Sequence, residues 1–394
     1  MDPAKYSTWY AALQAVPDPR HKRGQRYPWS LLLTLIAAAL LSDQTHLSAI
    51  GHWASLHAEE IMALLKLPLT RIPSASTLYR AAQAVDVAAL QQCLNALALP
   101  WGPEATSETR LRLLTGENLQ AQAVDGKVVR GASTHGQQVR LVSLVAHGTG
   151  MTLSQTRVAP QRGEQTATPP LLAQRPLQGT VSTFDAGLAQ RALAQQIVDQ
   201  RGHYLMVVKR NQPELYDNLR LWFDPPPTLA WQPCDGEVAV RRSQTTGKAH
   251  GRVEVRTLES RADCAPFLDW PGVGQVMRRT CWRRVLKSGQ SSRETTYAIT
   301  SLGWHEADAS HLEQLWRGHW TIENRCHYVR DVTLDEDRGQ SHVGHTPEVL
   351  ATFRNALIAT LRAQGWTNIA AALRYYGSAV ANAFALLGAI PPRL

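Results

Sequence analysis

Cysteine is sparse in this 394-residue chain, and its five copies, Cys93, Cys234, Cys264, Cys281 and Cys326, stand singly with no Cys-x-x-Cys pair. Such spacing builds neither a zinc ribbon nor a disulfide framework, and it fits a reduced, cytoplasmic setting. Long apolar runs are lacking too. The nearest approach, Leu31 to Leu41, is too short to span a bilayer and stops at Ser42 and Asp43, so it reads as a buried helix started by Pro28 and not as a targeting signal. There is no Gly-rich phosphate loop, no nucleophilic Ser or Cys elbow, no internal repeat and no low-complexity tract. Acidic charge is in deficit: 41 basic residues against 32 acidic ones give +9 and a pI near 9.5, which makes a polyanion the natural partner and says nothing about fold.

Residues 1–100 read as a helical N-terminal domain in contact with DNA, with helices over Pro28 to Leu41, Leu47 to Leu65 and Thr77 to Leu97. Beside them lies a basic cluster, Arg20, Lys22, Arg23 and Arg26. The pattern breaks near Trp101. From Ala121 the period becomes extended, with strands over Ala121 to Asp125, Val139 to Ala146 and Met151 to Val158. A helix over Pro169 to Gln174, a strand ending at Asp185, a helix over Leu188 to Gln200 and a strand over Tyr204 to Lys209 follow. Three meandering strands and then strand, helix, strand is the order of an α/β, ribonuclease-H-like mixed sheet. Residues 116–212 are its expected first part. Residues 213–300, with Pro225 to Pro227 as a breaker and four Arg- and Thr-rich strands, read as a β-rich insertion. Residues 301–362 return to the catalytic domain, and 363–394 form a C-terminal helical tail.

Two aspartates end apolar strands: Asp125, before Gly126 and Lys127, and Asp185, after Phe184. A third acid, Glu323, lies in a helical segment with Trp316, Trp320, His327 and Arg330, at spacings that place all five within about 80° of one another. A glutamate on such a stripe is costly to bury unless it meets a cation. Clustered carboxylates raise each other's pKa unless a cation intervenes, and for oxygen ligands the usual one is Mg²⁺. The acidic run Asp331, Asp335, Glu336 and Asp337 is a rival source of the third acid and otherwise reads as a solvated turn. Lys127, Lys209, Arg210 and Gln212 are candidate phosphate contacts beside the metals. Three acids and Mg²⁺ support in-line attack on a phosphodiester, with Mn²⁺ able to substitute. A glycosidase needs two acids and is poorly served by this basic surround.

Taken together, Pro17 to Arg20 with Arg23 to Arg26, Ile72 to Thr77, Ala123 to Lys127, Thr183 to Ala186, Lys209 to Gln212, His250 to Glu254 and Arg317 to Asn324 resemble the ISAs-type, H-repeat-associated insertion-sequence transposases. The motifs run in order over roughly residues 15 to 345. The resemblance implies a Mg²⁺-dependent DDE transposase that cuts and rejoins double-stranded DNA at element ends, with Asp125, Asp185 and Glu323 as catalytic metal ligands. Arg252, His319 and Arg330 are further DNA-contact candidates. Ala75 and Ser76 stand where the family pattern has His-Asp, and Arg210 where it has Gly. Synapsis of two ends implies a homodimer on DNA. The rival expectations are a DNA-binding or regulatory protein on an inactive scaffold, and a nuclease without strand transfer.

Overall fold

The structure, a computed structural model, describes residues 5–97, 110–134, 137–224, 239–249, 251–339 and 343–391. The expected boundary near Trp101, the Pro225 to Pro227 breaker and His250 lie outside the described residues.

Among the described residues six α-helices come first: α1 (Trp9–Gln14), α2 (Trp29–Leu41), α3 (Leu47–Leu56), α4 (Ala58–Leu65), α5 (Ala75–Ala84) and α6 (Val87–Asn95). Along α2 every residue but Ser30 is buried, as an apolar helix without a polar face must be. Each of the two longer expected helices is broken once. The first breaks at His57. The second breaks at Asp86, whose carboxylate accepts from the Ala89 N–H at 3.1 Å and starts a new helix.

Ten strands form one sheet: β1 (Arg110–Arg112), β2 (Asn118–Thr134), β3 (Gln137–Ala146), β4 (Thr152–Arg157), β5 (Thr180–Phe184), β6 (His203–Val208), β7 (Arg241–Ala249), β8 (Arg252–Arg261), β9 (Gln275–Val285) and β10 (Ser291–Thr300). The order is β4-β3-β2-β5-β6-β10-β9-β8-β7, with β1 paired to β2. The β2, β3 and β4 meander is antiparallel, and β5 and β6 join it in parallel, which is the ribonuclease-H-like arrangement. Two crossover helices, α7 (Glu164–Leu172) and α8 (Arg191–Asp199), pack Leu171, Leu193 and Ile197 on one face against Val124, Val142 and Phe184. Next in the chain is α9 (Pro213–Phe223), after β6. The opposite face is covered by α10 (Ala309–Gly318), whose Leu312, Leu315 and Trp316 meet Ala121 and Val181.

The four strands after residue 240 are not a separate layer. β10 pairs antiparallel with β6 from Tyr297↔Val208 to Thr300↔Leu205, which makes the sheet continuous. Because β6 ends at Val208, residues Ser291 to Thr296 run on past its carboxyl end, at the end of the sheet where Asp185 stands.

The last helices are α11 (Thr346–Ala363), α12 (Ile369–Gly377) and α13 (Val380–Leu386). Phe353, Leu357, Leu373 and Phe384 share one apolar core with Leu13, Leu35 and Trp53 of the N-terminal helices. Trp9 Nε1 donates to Thr360 Oγ1 at 2.9 Å across this core. The C-terminal segment is therefore built into the helical region at the start of the chain.

Candidate active site

The register decides where the two aspartates stand. Val124 and Phe184 are the last partners of the parallel β2–β5 pair, so Asp125 and Asp185 each follow by one residue on neighbouring strands about 4.8 Å apart. Alternation along a strand puts Ala121, Ala123 and Asp125 on one face, with Val181, Thr183 and Asp185 beside them. That face carries the helix with Glu323, because Ala123 packs with Ile322 and Cys326.

The helix comes close because residue 318 is glycine: a Cβ there would lie 2.2 Å from His147 Nδ1. His147 Nε2 is 3.0 Å from Thr183 Oγ1, which is also 3.0 Å from His319 Nδ1 and donates to Gln122 O at 3.2 Å. Burial pushes the His147 imidazole down to about 3 and lowers His319 as well, and with the Thr183 hydroxyl proton given to Gln122 O the two rings meet its oxygen from either side. His319 is thereby fixed over the end of β5, where Asp185 acts on it electrostatically.

Beyond α10 the helix widens. Tyr328 N–H donates to Glu323 O and Leu334 N–H to Val329 O, five residues back in each case, over π-helical turns at Ile322–His327 and Val329–Thr333. The extra residue per turn shifts the phase of the side chains, so the expected stripe does not share one face. Trp316 is buried, Trp320 is 58% exposed, and Arg330 is fully buried. π-bulges occur often at functional sites. Here the bulge leaves Glu323 half-exposed above Asp125 and turns His327 inward. His327 Nδ1 lies 3.7 Å from Asp125 Oδ2 and 3.8 Å from Glu323 Oε2, and ligand atoms of the three residues lie within 4.8 Å of one another.

Asp185 stands outside that group. It is half-exposed, accepts from the Ala186 N–H at 2.7 Å and lies 3.6 Å from Lys209 Nζ. Glu164, at the start of α7, is a further acid not anticipated from the sequence. A Cβ at residue 126 would fall 2.0 Å from its carboxyl carbon, so Gly126 is what lets it approach. The only signal in the sequence was that glycine after Asp125.

Burial first, then the negative charge of Glu323, pushes the Asp125 carboxyl up to about 8, and Glu164 adds to it. Glu323 is held below the usual carboxylate range, chiefly by His327, whose own imidazole is lowered by burial. Two acids at one position with no cationic side chain between them fit a divalent cation, which would neutralise both.

A second charged cluster lies beneath the site and corrects three expectations. Arg330 is no surface base for DNA: it donates through Nε to Glu336 at 2.9 Å and through Nη1 to Gln155 at 3.0 Å. Lys127 is also buried, paired with Asp331, with Glu336 at 3.7 Å and with Asp337 at 3.5 Å, and so does not face a phosphate. Glu336 is not part of a solvated turn. It is buried, and Arg354 joins it from α11 at 3.2 Å. Buried charges are paired, and this cluster ties β2, the π-helical segment and α11 together.

Residues 117–355 match the family described as Transposase DDE domain, and residues 10–98 match the one described as DDE_Tnp_1-associated. The chain belongs to the transposase DDE domain family. The insertion-sequence resemblance read from its motifs leads to the same family. "Putative transposase YncI" of Escherichia coli O157:H7 is 23% identical over 353 residues, covering 89% of this chain and 86% of that protein. "H repeat-associated putative transposase YhhI" of Escherichia coli strain K12 is 23% identical over 356 residues, covering 88% of each. The cryo-EM structure of the piggyBac transposase synaptic complex with hairpin DNA aligns at 8% identity with a TM-score of 0.42, over 94% of this chain and 75% of that one.

The remaining DNA-contact candidates of this transposase are spread over three regions. Arg20 folds back, donating to Asp18 and Tyr27 O and lying over the Trp29 ring, while Lys22, Arg23 and Arg26 are exposed. Lys209 and Arg210 are exposed at the end of β6, and Gln212 donates to Ala189 O at 3.0 Å. Arg252 is half-exposed and bound to Glu254 at 2.8 Å. A cavity of about 1370 Å³ between α6, β4 and α11 includes none of the three predicted acids. No described helix is long and apolar enough to cross a membrane.

Proposed function

We propose that this transposase cleaves element ends and joins them to target DNA at a site formed by Asp125, Asp185 and Glu323, with two Mg²⁺ ions as its cofactor. The observation that carries this reading is the parallel register that sets Asp125 beside Asp185, with Glu323 above Asp125 on a helix packed over both strands. Divalent cations at such a site supply charge neutralisation and an activated oxygen nucleophile. Hydrolysis of one phosphodiester frees a 3′-hydroxyl, which then displaces the 3′ oxygen of a target phosphodiester.

The chain's own part is placement. The pairing of Lys127 with Asp331, Glu336 and Asp337 locks β2 to the segment after Glu323, so the two acids keep their spacing. Lys209 lies 3.6 Å from Asp185, and with Arg210 it offers cationic contacts to the DNA backbone at the strand ends. Lys22, Arg23 and Arg26 are further backbone contacts, and two copies of the chain hold two ends. Purified protein with an element end, its flank and Mg²⁺ or Mn²⁺ tests the reading, scored for binding, cleavage and joining. Cleavage and joined product together are expected. Cleavage without joining would reduce it to a nuclease, and binding without cleavage to a regulatory scaffold.

A further inference from the structure

We propose that His327 is a protein ligand of the metal held by Asp125 and Glu323, so that this position is a mixed nitrogen and oxygen site; the inference rests on the proposed cleavage site. Nδ1 of His327 lies 3.7 Å from one carboxylate and 3.8 Å from the other. Both distances are too long for a hydrogen bond. They do suit ligands of one ion: atoms about 2.1 Å from a shared cation lie about 3 Å apart when adjacent and about 4.2 Å apart when opposite. The ring is nine-tenths buried, and its other nitrogen, Nε2, has no hydrogen-bond partner. Nε2 is thus spent on no group of the described residues, while Nδ1 is turned toward the two acids by the π-helical turn that also sets Glu323.

The consequence is selectivity. Imidazole favours the later transition metals over Mg²⁺ and Ca²⁺, so one nitrogen donor shifts the preference of the site toward Co²⁺ or Zn²⁺ relative to an all-carboxylate one. Asp185, on its own strand end beside Lys209, stands apart from this position.

Pulsed electron paramagnetic resonance of the Mn²⁺-loaded full chain, with histidine labelled in ¹⁵N, tests this directly. Wild-type protein is expected to show nitrogen coupling from one histidine. His327→Gln should lose the coupling and bind Mn²⁺ at least about tenfold more weakly, whereas His319→Gln should keep both. Absence of histidine coupling in a wild-type complex whose Mn²⁺ binding is lost in Asp125→Asn overturns the assignment and leaves the cleavage site standing. So does coupling that survives His327→Gln or disappears in His319→Gln. Mn²⁺ binding indifferent to Asp125→Asn overturns the cleavage site as well. Should His327→Gln fail to fold by circular dichroism, the labelled wild-type spectrum and the His319→Gln control decide alone.

Discussion

A carboxyl as enclosed as Asp125, with Glu323 and Glu164 beside it, is a poor place for negative charge until a cation arrives. Asp125→Asn should therefore abolish cleavage while leaving the fold at least as stable without metal and end binding intact. Asp185→Asn should abolish cleavage too, without the gain in stability, since Asp185 is half-exposed and already faces Lys209. Cleavage assays, gel-shift binding and metal-free thermal melts check all three. The buried cluster behaves oppositely. Burial raises Glu336, but Arg330, Arg354 and Lys127 outweigh it and leave its carboxyl below the ordinary range. A depressed folded value means stability that is fully present above the ordinary carboxylate range and is lost as pH falls through the folded value. Glu336→Gln should lower stability at neutral pH and flatten the acid limb of a urea-melt series. Arg330→Ala, which leaves Glu336 with Arg354 and Lys127 alone, should cost about 3–5 kcal/mol at neutral pH.

At the scale of elements, the apolar runs leading into Asp125 and Asp185 were legible because such runs before an acid and Gly or Ala have few other readings, but only β5 ends there: β2 runs on past Asp125 to Thr134, paired with β3. The Glu323 helix was legible by period, but only as far as Gly318. Neither the tight turn at His319 and Trp320 nor the π-turns after it leave a compositional mark, so the phase that exposes Trp320 and buries Arg330 could not be read from a 3.6-residue period. Glu336 was misread for a related reason: its partner Arg330 reads from the sequence as a DNA contact, and Arg354 and Lys127 meet it only through the fold. The N-terminal basic turn divides in the same way. Arg20 is held by Asp18, Tyr27 and Trp29, whereas Lys22, Arg23 and Arg26 carry no such fold-back. Replacing those three with Ala should flatten the salt dependence of DNA binding by up to about 2.7 in log–log slope, or ~0.9 for each lost phosphate contact. Arg20→Ala should instead lower thermal stability with little change in slope. An unaltered slope in the triple variant moves the contact surface elsewhere, the Arg-rich strands past β6 being the nearest alternative.

Across the whole molecule, the sequence suggested a helical unit joined to a catalytic sheet by a linker, and the packing argues for closer union. α11 turns Val349, Phe353, Leu357 and Leu361 into the N-terminal helical core, while its Ala351 meets Val129 and Val139 of the sheet. On the same helix Asn355 donates to Gln155 of β4 at 3.0 Å, and Arg354 reaches both Glu336 and, at 2.6 Å, Thr45 O between α2 and α3. Val329 and Leu334, which flank the second π-turn beyond Glu323, also belong to the N-terminal core. A chain beginning at residue 110 would thus expose the apolar flank of α11 and free the segment that carries Glu323, though it retains every predicted acid. Such a fragment should be poorly soluble or molten and should bind Mn²⁺ far more weakly than the full chain. The intact protein should unfold in a single calorimetric transition. Two separated transitions, or a fragment from residue 110 with native near-ultraviolet circular dichroism and undiminished Mn²⁺ affinity, would show that the helical region is an appendage and that the geometry at Glu323 is set by the sheet alone.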